Sequence, residues 1–477
     1  MKKIINSSEQ SLKVLLISLL ILGCDEEFLN MSPATQVSDV DALATTNTLG
    51  AIMKGTIREW RTITYAMNMS GGHSWAINRD AMGPDIIVGQ SWWKSEVAYS
   101  SYTQGTNRVK WNWWLFYKAI NNANIVIANV AEAQGTQADK DRIKGEALAI
   151  RGFSYYELVT TYAPTYSRGA SSMGVPIYLE PTTPETKGNA RSTVEEVYTQ
   201  VIADYTAAKG LLTASRGDKG YVNSNVIDGM LARLYLTMGN YAAAALSANS
   251  ARQGYPLMSQ AQWTSGFNDI SNPEWIWGQH NTVQENPDWG GVSSQFDLEG
   301  NSNEASLHAS DALVSLYSAT DIRKSTFYVN TTGFWASRKF RQGATTYEGD
   351  YPYMRSAEMY LIEAEAQERT GNSAGAQASL FAVQGNRDAS AVSSDKTGQA
   401  LIDEIITEKR RELWGEGVHF SDMLRTGIAL KRDALHNEVM SKSANSWEYI
   451  FQIPEQEFMI NENMDLATDQ NPPTGTY

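Results

Sequence analysis

Several tryptophans of this chain lie in polar segments near glycine, where an aromatic ring is available to a ligand. They are Trp75, Trp92, Trp93, Trp289 and Trp335. The axial C–H groups of a sugar form an apolar face that stacks on an aromatic ring, while the sugar hydroxyls need amide or charged partners. Aromatic, small and amide residues in irregular loops are typical of a binding surface. We therefore expect these rings to contact a ligand. Packing within their own loops is the alternative.

Polar residues close to the first of these tryptophans supply the hydrogen-bonding groups that such a site needs. They are Asn78, Arg79 and Asp80. The aromatic segments fall into two stretches, about 62–108 and 255–351, which are rich in small and amide residues and show little sustained periodicity. We expect the two stretches to form one irregular, loop-rich binding lobe.

The sequence motifs of common enzyme classes are missing. The segment Gly72-His73-Ser74-Trp75-Ala76 lacks the closing glycine of a nucleophile elbow. No Gly-Lys dipeptide is present for a phosphate-binding loop, and no two histidines have zinc-ligand spacing. Acidic residues are numerous, so a pair of catalytic carboxylates stays open as an alternative. We expect a binding protein with no catalytic residue, no metal and no cofactor.

The single cysteine, Cys24, ends a short apolar run that begins at Val14 and follows several lysines. Charged and apolar regions in this order are typical of a secretory signal. The run is far shorter than the ~20 residues that span a bilayer. Its end, Ile21-Leu22-Gly23-Cys24, resembles a bacterial lipobox, in which the cysteine becomes the first residue and is acylated with palmitate. An ordinary signal peptide with a buried cysteine is the alternative. We expect residues 1–23 to be a lipoprotein signal peptide.

The charge of the chain excludes some partners. The formal net charge is −14, and removal of residues 1–23, which hold three lysines and one glutamate, changes it to −16. This balance argues against nucleic acid and against adhesion to anionic lipid through a basic face. Residues 24–48 are polar and acidic, so we expect an acylated tether. The acidic run 25–27 resembles the export signal of surface lipoproteins; a solvated linker is the alternative.

Helical periodicity dominates two stretches, about 111–254 and 352–430. One segment that ends near Pro164 is apolar on two faces, which indicates a helix between two neighbours. Trp111, Trp113 and Trp114 begin an earlier helix. We expect core packing or an interface with a partner for these three rings, and a core cavity in Trp114→Ala.

Two helix–turn–helix signatures flank the lobe. Gly239 is followed by Asn240, and Gly371 by Asn372. In each pair the glycine can end one helix in a left-handed conformation and the asparagine can cap the next. Such units are typical of tetratricopeptide repeats. We expect a mainly α fold over residues 49–477, in which tetratricopeptide-like helix pairs support the lobe.

A run of charged residues near the C-terminus could be structural or functional. Its members are Glu408, Arg410, Arg411, Glu412, Glu416, Asp422 and Arg425. We expect paired charges that fix the terminal helices against the repeats. A catalytic or ligand-binding cluster is the alternative.

Several blocks of sequence, taken in their order, resemble the SusD/RagB family of nutrient-uptake outer-membrane lipoproteins of Bacteroidetes. The blocks are Cys24-Asp-Glu-Glu-Phe-Leu-Asn-Met-Ser-Pro33, Asn121-Asn-Ala-Asn-Ile-Val-Ile127, Gly145-Glu-Ala-Leu-Ala-Ile-Arg-Gly-Phe-Ser-Tyr-Tyr-Glu-Leu-Val159, Gly174-Val-Pro-Ile-Tyr178, Arg191-Ser-Thr-Val-Glu-Glu-Val-Tyr198, Asn272-Pro-Glu-Trp-Ile-Trp277, Tyr353-Met-Arg-Ser-Ala-Glu-Met-Tyr-Leu-Ile-Glu-Ala-Glu-Ala366, Glu408-Lys-Arg-Arg-Glu-Leu-Trp-Gly-Glu-Gly417, Phe420 to Arg425 and Ile453-Pro-Glu-Gln-Glu457. The resemblance covers nearly the whole mature chain.

The resemblance implies a fold, a location and a partner. The fold would be the SusD-like α–α superhelix with an irregular ligand-binding lobe. The protein would be lipid-anchored on the outer face of the outer membrane, as a lid on a SusC-like TonB-dependent transporter. There it would capture oligosaccharide and deliver it for import. Some relatives handle peptides or other nutrients, which is the alternative; a purely structural surface lipoprotein is a third.

The lipid anchor generates the first prediction. Several acyl chains on one cysteine hold a protein to a membrane far more firmly than one chain. Cys24→Ala should therefore move the protein from the washed membrane fraction to the soluble fraction, as measured by fractionation and immunoblotting. Retention of the variant in washed membranes that contain no partner protein would contradict this prediction.

Overall fold

A computed structural model describes residues 39–62, 64–66, 68–89, 91–287, 290–299, 307–342, 348–432, 436 and 440–477. Cys24 and Trp289 lie outside these residues. The predicted acylation of Cys24 and the predicted ligand contact of Trp289 therefore stay predictions.

Helices make up most of the regular structure. In chain order they are α1 Asp39–Leu43, α2 Thr46–Thr62, α3 His73–Met82, α4 Lys94–Val97, α5 Asn107–Asn129, α6 Gln137–Tyr162, α7 Tyr166–Gly169, α8 Val194–Leu211, α9 Ser224–Met238, α10 Tyr241–Ala251, α11 Gln260–Thr264, α12 Val292–Phe296, α13 Asp311–Val314, α14 Ser356–Arg369, α15 Ser373–Arg387, α16 Gln399–Glu412, α17 His419–Thr426, α18 Glu455–Ile460 and α19 Leu466–Asp469. Within the described ranges, no helix is long and apolar enough to cross a membrane. The predicted mainly helical fold is confirmed.

The folded part begins earlier along the chain than the sequence predicts. Residues 39–48, assigned above to the tether, contain α1 and the start of α2. The amide of Thr46 donates to the carbonyl of Gln134 at 2.8 Å, and the amide of Gln134 donates to the carbonyl of Ala44 at 2.8 Å. These two bonds fix the segment to the turn between α5 and α6.

Helix α6 is the centre of the N-terminal scaffold, because it packs on α5 and α8 at once. A Cβ on Gly152 would lie 2.7 Å from the ring of Tyr205, so this glycine permits the close approach of α8. The hydroxyl of Thr136 accepts the amide of Asp139 and caps the start of α6. The helix ends two residues before Pro164. The prediction of a helix between two neighbours is confirmed.

The two predicted helix–turn–helix units are α9–α10 and α14–α15. Gly239 and Gly371 end the first helix of each unit with φ angles of 78° and 86°. Asn240 and Asn372 cap the second helix by accepting a backbone amide three residues on. Because α10 packs against α14, the two units lie side by side although the lobe separates them in sequence.

The strands are short and join the two loop-rich stretches. They are β1 Thr64–Ala66, β2 Met69–Ser70, β3 Ile86–Val88, β4 Trp275–Gln279, β5 Leu307–Ala309, β6 Phe327–Val329, β7 Trp335–Ser337, β8 Tyr351–Arg355, β9 Leu430–Lys431 and β10 Ser441–Lys442. One antiparallel sheet has the order β3-β5-β7-β6, with a strand from the first stretch and three from the second. Separate two-stranded ladders are formed by β1–β2, β4–β8 and β9–β10.

Buried ion pairs connect the lobe to the last repeat helices. We call this set the central charge network; it consists of Glu274, Asp321, Arg323, Lys339, Arg355, Arg387, Glu408, Arg411, Glu412 and Glu416. Five cations face five carboxylates, so the network is electrically balanced. Buried charges are tolerated only when they are paired and hydrogen-bonded.

Arg355, at the end of β8, is at the middle of the network and fully buried. Its guanidinium contacts Glu274, lies 3.0 Å from Glu412 and lies 2.7 Å from Glu416. Arg387 of α15 lies 2.7 Å from Glu274 and 3.0 Å from Glu412. Burial by itself raises the pKa of the Glu412 carboxyl, but Arg387 and Arg355 hold that pKa well below its usual range. Glu412 is therefore an anion shared by several cations.

The C-terminal charged run is a set of ion pairs, as predicted. Besides the members of the central charge network, Arg410 pairs with Asp85 and Arg425 pairs with Glu365 and Asp422. Each charged residue of the run has a partner within the fold, so the structural interpretation is confirmed.

Core packing, the first of the two expectations for this helix, is wrong for Trp114, whereas an interface with a partner stays a prediction for this ring. Trp111 and Trp113 are buried, but Trp114 is 44% exposed. Its side chain lies on an exposed part of α5, where the ammonium of Lys118 is 4.9 Å from the ring centroid. Trp114→Ala therefore leaves no core cavity.

The central charge network generates a stability prediction. Removal of one partner from a buried ion pair leaves an uncompensated charge, which costs ~3–5 kcal/mol. Arg355→Met should lower the free energy of unfolding by about that amount, as measured by urea denaturation.

Arg338 is the matched control, because it pairs with Glu299 at the surface. Arg338→Ala should change the free energy of unfolding by less than ~1 kcal/mol. Equal effects of the two arginine substitutions would show that the central charge network does not stabilise the fold.

Candidate functional site

Four of the predicted ligand contacts lie on helix α3 in the interior and not in a loop. Trp75, Asn78 and Asp80 are buried, and Arg79 is largely covered. Trp75 packs at 5.2–5.9 Å between ring centroids against four aromatic neighbours: Trp60, Phe116, Phe153 and Tyr353. The predicted loop location is wrong because α3 is buried around nearly its whole circumference, and the ring of Trp75 offers no open face to a sugar.

The polar side chains of α3 have internal partners. Arg79 pairs with Glu157 at 2.6 Å. Asp80 accepts the amide of Gly417 at 2.9 Å. The amide oxygen of Asn78 accepts a long bond from the hydroxyl of Tyr102 at 3.4 Å. The bonds to Glu157, on α6, and to Gly417, after α16, attach the lobe to the scaffold.

A cavity beside α3 is too small for a sugar. Its volume is about 80 Å³, and Trp75, Arg79, Glu157, Arg233 and Tyr353 contribute to its lining. Sites for small molecules have volumes of ~300–1,000 Å³, so this cavity is smaller than a typical ligand site.

The turn Ser91–Trp93 places two adjacent tryptophans in opposite environments. Trp93 is fully buried; its indole N–H donates to Gln295 Oε1 at 3.0 Å, and the guanidinium of Arg108 lies 5.5 Å from its ring centroid. Trp92 is 48% exposed. For Trp93 the loop-packing alternative holds, whereas Trp92 presents an open aromatic surface.

Trp335 is half-buried at the start of β7. Its indole N–H donates to Asp311 Oδ1 at 2.6 Å. It pairs across the strands with Val329 of β6, which is exposed on the same face of the sheet. This pair forms a small apolar surface next to a fixed carboxylate.

Trp92 and Trp335 do not lie at the same end of the sheet. The register pairs Ile86 with Ala309 and Ala309 with Trp335, so Trp335 is level with the start of β3. Trp92 follows Val88, at the opposite end of that strand. The two rings therefore mark two parts of the lobe surface.

Two aromatic residues beside Trp335 were missed in the sequence. Phe334 stacks on His308 with ring centroids 5.2 Å apart, and burial lowers the pKa of His308 to about 4, so this histidine is neutral. Tyr328 lies under the guanidinium of Arg338 at 4.3 Å. The sequence does contain a signal for them. Two aromatic runs are separated by a segment with asparagine and glycine, and this pattern is typical of a β-hairpin.

The described residues include no group of three or more histidine, cysteine or acidic side chains that could hold a metal ion. The buried carboxylates of the central charge network are each occupied by arginine or lysine. What the described lobe surface offers is aromatic and apolar surface with hydrogen-bonding groups, which suits binding.

Two family profiles together cover most of the chain. A profile described as "Starch-binding associating with outer membrane" matches residues 27–236. The profile of the SusD family matches residues 232–473, which is half of the chain. The chain belongs to the SusD family. The family resemblance drawn from the sequence blocks is confirmed.

Similar proteins agree with this family over nearly the full length. A SusD-like protein of Formosa agariphila is 23% identical, with 90% of this chain and 93% of that protein covered. The solved structure of a SusD-like carbohydrate binding protein from Bacteroides vulgatus has a TM-score of 0.80 and 26% identity, over 88% of this chain and 97% of that one. A laminarin binding SusD-like protein has a TM-score of 0.68 and 19% identity, over 90% of this chain and 98% of that one.

Asp80 generates a pH prediction. Burial raises the pKa of its carboxyl to about 7, with the amide of Gly417 opposing this shift. Between about pH 4 and 7 the folded state binds a proton that the unfolded state releases, so this group makes stability fall as pH rises through that window. Asp80→Asn should therefore raise the free energy of unfolding at about pH 8 by an amount on the order of 1 kcal/mol or more. The increase in the free energy of unfolding should be smaller at about pH 5.

Asp85→Asn is the control, because Asp85 pairs with Arg410. It should lower stability at both pH values in thermal denaturation. A stability gain of Asp80→Asn that is the same at both pH values would contradict the raised pKa.

Proposed function

We propose that this SusD family protein captures an oligosaccharide at the cell surface and delivers it to a SusC-like TonB-dependent transporter. The proposal is supported by the family description of starch binding at the outer membrane and by similarity to a carbohydrate binding protein at TM-score 0.80. The protein would act as a lipid-anchored lid through Cys24. It would bind its ligand without changing it chemically.

The observation that carries the proposal is the arrangement of Trp92 and Trp93. The buried ring of Trp93 anchors the backbone of the turn, and the ring of Trp92 on the same turn is exposed. A rigid aromatic side chain loses little conformational entropy on binding, which favours affinity. Stacking against the C–H face of a sugar is the contact that such a ring makes best.

Trp335 would supply a second stacking surface on the lobe. Its hydrogen bond to Asp311 fixes the ring, and the second carboxylate oxygen of Asp311 is available to a sugar hydroxyl. Two separate stacking rings suit an oligosaccharide better than a single sugar. Trp289, which lies outside the described residues, stays a predicted third contact.

The lobe contacts are tested by calorimetry with laminarin and maltohexaose, the probes suggested by the names of the relatives, and with a tryptic peptide mixture. Removal of one stacking ring should cost ~1–3 kcal/mol of binding free energy. Trp92→Ala and Trp335→Ala should each weaken binding of a glycan that binds the native chain about five- to 150-fold, with little change in melting temperature.

Leu246→Ala is the control, since Leu246 is an exposed apolar residue of α10, outside the lobe. It should bind like the native chain. Chromatography of the glycan after incubation should show it intact. If only the peptides bind, or if the glycan is cleaved, the proposed function is wrong.

The delivery step is tested in the native host. A tagged full-length chain, solubilised with its envelope, should co-purify with a TonB-dependent transporter identified by mass spectrometry. The same chain with Cys24→Ala should recover less transporter, because the anchor raises the local concentration of the lid. Purification of the native chain with no TonB-dependent transporter would contradict the proposed delivery.

A further inference from the structure

A surface pocket of about 740 Å³ lies on the helical scaffold, outside the lobe. Its walls are one face of α5, the segment 178–188 and helix α18. Sites for small molecules have volumes of ~300–1,000 Å³ and combine apolar walls with a few polar groups. We call it the α5 pocket. It is large enough for several linked sugar rings, unlike the cavity beside α3.

The aromatic wall of the α5 pocket is held by hydrogen bonds. The indole N–H of Trp113 donates to Glu457 Oε2 at 3.0 Å, and the hydroxyl of Tyr117 donates to the carbonyl of Pro176 at 2.8 Å. The two rings are 4.6 Å apart, and Tyr178 packs edge-on against Tyr117 at 5.9 Å. These rings are fixed, and the 44% exposed ring of Trp114 lies next to them along the pocket.

The wall formed by the segment 178–188 is hydrogen-bonded near its end to the residues that follow α18, so the pocket is preformed. The side-chain amide of Asn461 donates to the carbonyl of Asn189 at 2.9 Å, and the backbone amide of Glu462 donates to the carbonyl of Lys187 at 2.9 Å. A Cβ on Gly188, whose φ is +84°, would lie 2.3 Å from Asn461, so glycine permits this close approach. A preformed pocket avoids the entropy cost of ordering on binding.

The rim of the pocket offers hydrogen-bonding groups without a strong charge. Asn121 accepts the amide and the hydroxyl of Thr182 through Oδ1, and its own amide N–H groups have no partner among the described residues. Lys118 pairs with Glu59 at 2.5 Å, and its ammonium also lies 4.9 Å from the centroid of the Trp114 ring. The carboxylate of Glu457 already accepts from Trp113 and Asn461. Lys110 is then the one lining cation without a described partner. The lining suits an uncharged ligand.

We propose that the α5 pocket is a second carbohydrate site, which binds a short uncharged oligosaccharide by stacking on Trp114 and by hydrogen bonds from Asn121. The inference rests on the proposed function, since it assigns another glycan contact to the same protein. A peptide would carry charged termini and side chains for which the lining has few counterions. A sugar needs an aromatic face and neutral amide donors, and the pocket supplies both.

The test is calorimetry with laminarin and maltohexaose on the full chain and on variants of each site. Trp114→Ala should weaken binding of at least one glycan by about fivefold or more, with a melting temperature within about 2 °C of the native chain. Asn121→Asp keeps the acceptor for Thr182 and removes the amide donor, so it should weaken the same glycan. The double variant Trp92→Ala, Trp114→Ala should bind more weakly than either single variant.

The outcomes separate the two proposals. If Trp114→Ala and Asn121→Asp bind every glycan like the native chain while Trp92→Ala does not, the second site is wrong and the proposed function stands. If these two variants lose co-purification with the transporter but keep glycan affinity, the pocket is a protein contact and the inference is overturned. If the native chain binds neither glycan, both proposals fail.

Discussion

The fold depends on the balance of buried charge at its centre. The central charge network takes residues from the lobe, from the strand β8 and from the helices α15 and α16, and joins them through Arg355 and Glu412. Each of these ions would be costly to bury alone, and each is tolerated because at least one opposite charge lies in direct contact with it. The lobe has short strands, and its buried apolar residues belong to the same core as those of the scaffold. Ion pairs and apolar packing therefore both fix its position on the repeats.

This fixed position explains how the lobe can present aromatic side chains. Trp93 and Trp75 are buried and attach the N-terminal part of the lobe to the scaffold, while Trp92 remains on the surface of the same short turn. An exposed ring contributes to binding only if its neighbours keep it in place. The compact interior destabilises the ionised form of Asp80, because burial raises the pKa of its carboxyl to about 7.

The exposed tryptophans lie in two regions, for which the sequence patterns predict different environments. Trp92 and Trp335 belong to the lobe, where polar surroundings predict a ligand surface. Trp114 belongs to a periodic helix, where periodicity predicts the core, and yet it borders the α5 pocket. Helical periodicity identifies which face of α5 meets α6. A bulky ring at the edge of that face can be either buried or exposed to solvent, because its burial depends on neighbouring segments that are far away in sequence.

The sequence by itself determined the helices, the glycine and asparagine turns of the two repeat units, the charged run as ion pairs and the family. These features depend on local periodicity, on capping and on the order of blocks along the chain, which a sequence displays directly. Only the tertiary structure decided which tryptophans are exposed. Trp75, Asn78 and Asp80 have the composition of a ligand site but lie on a helix enclosed by distant segments. Burial is a property of contacts between residues far apart in sequence, so local composition predicts the kind of residue a glycan site needs and not which of them reach the surface.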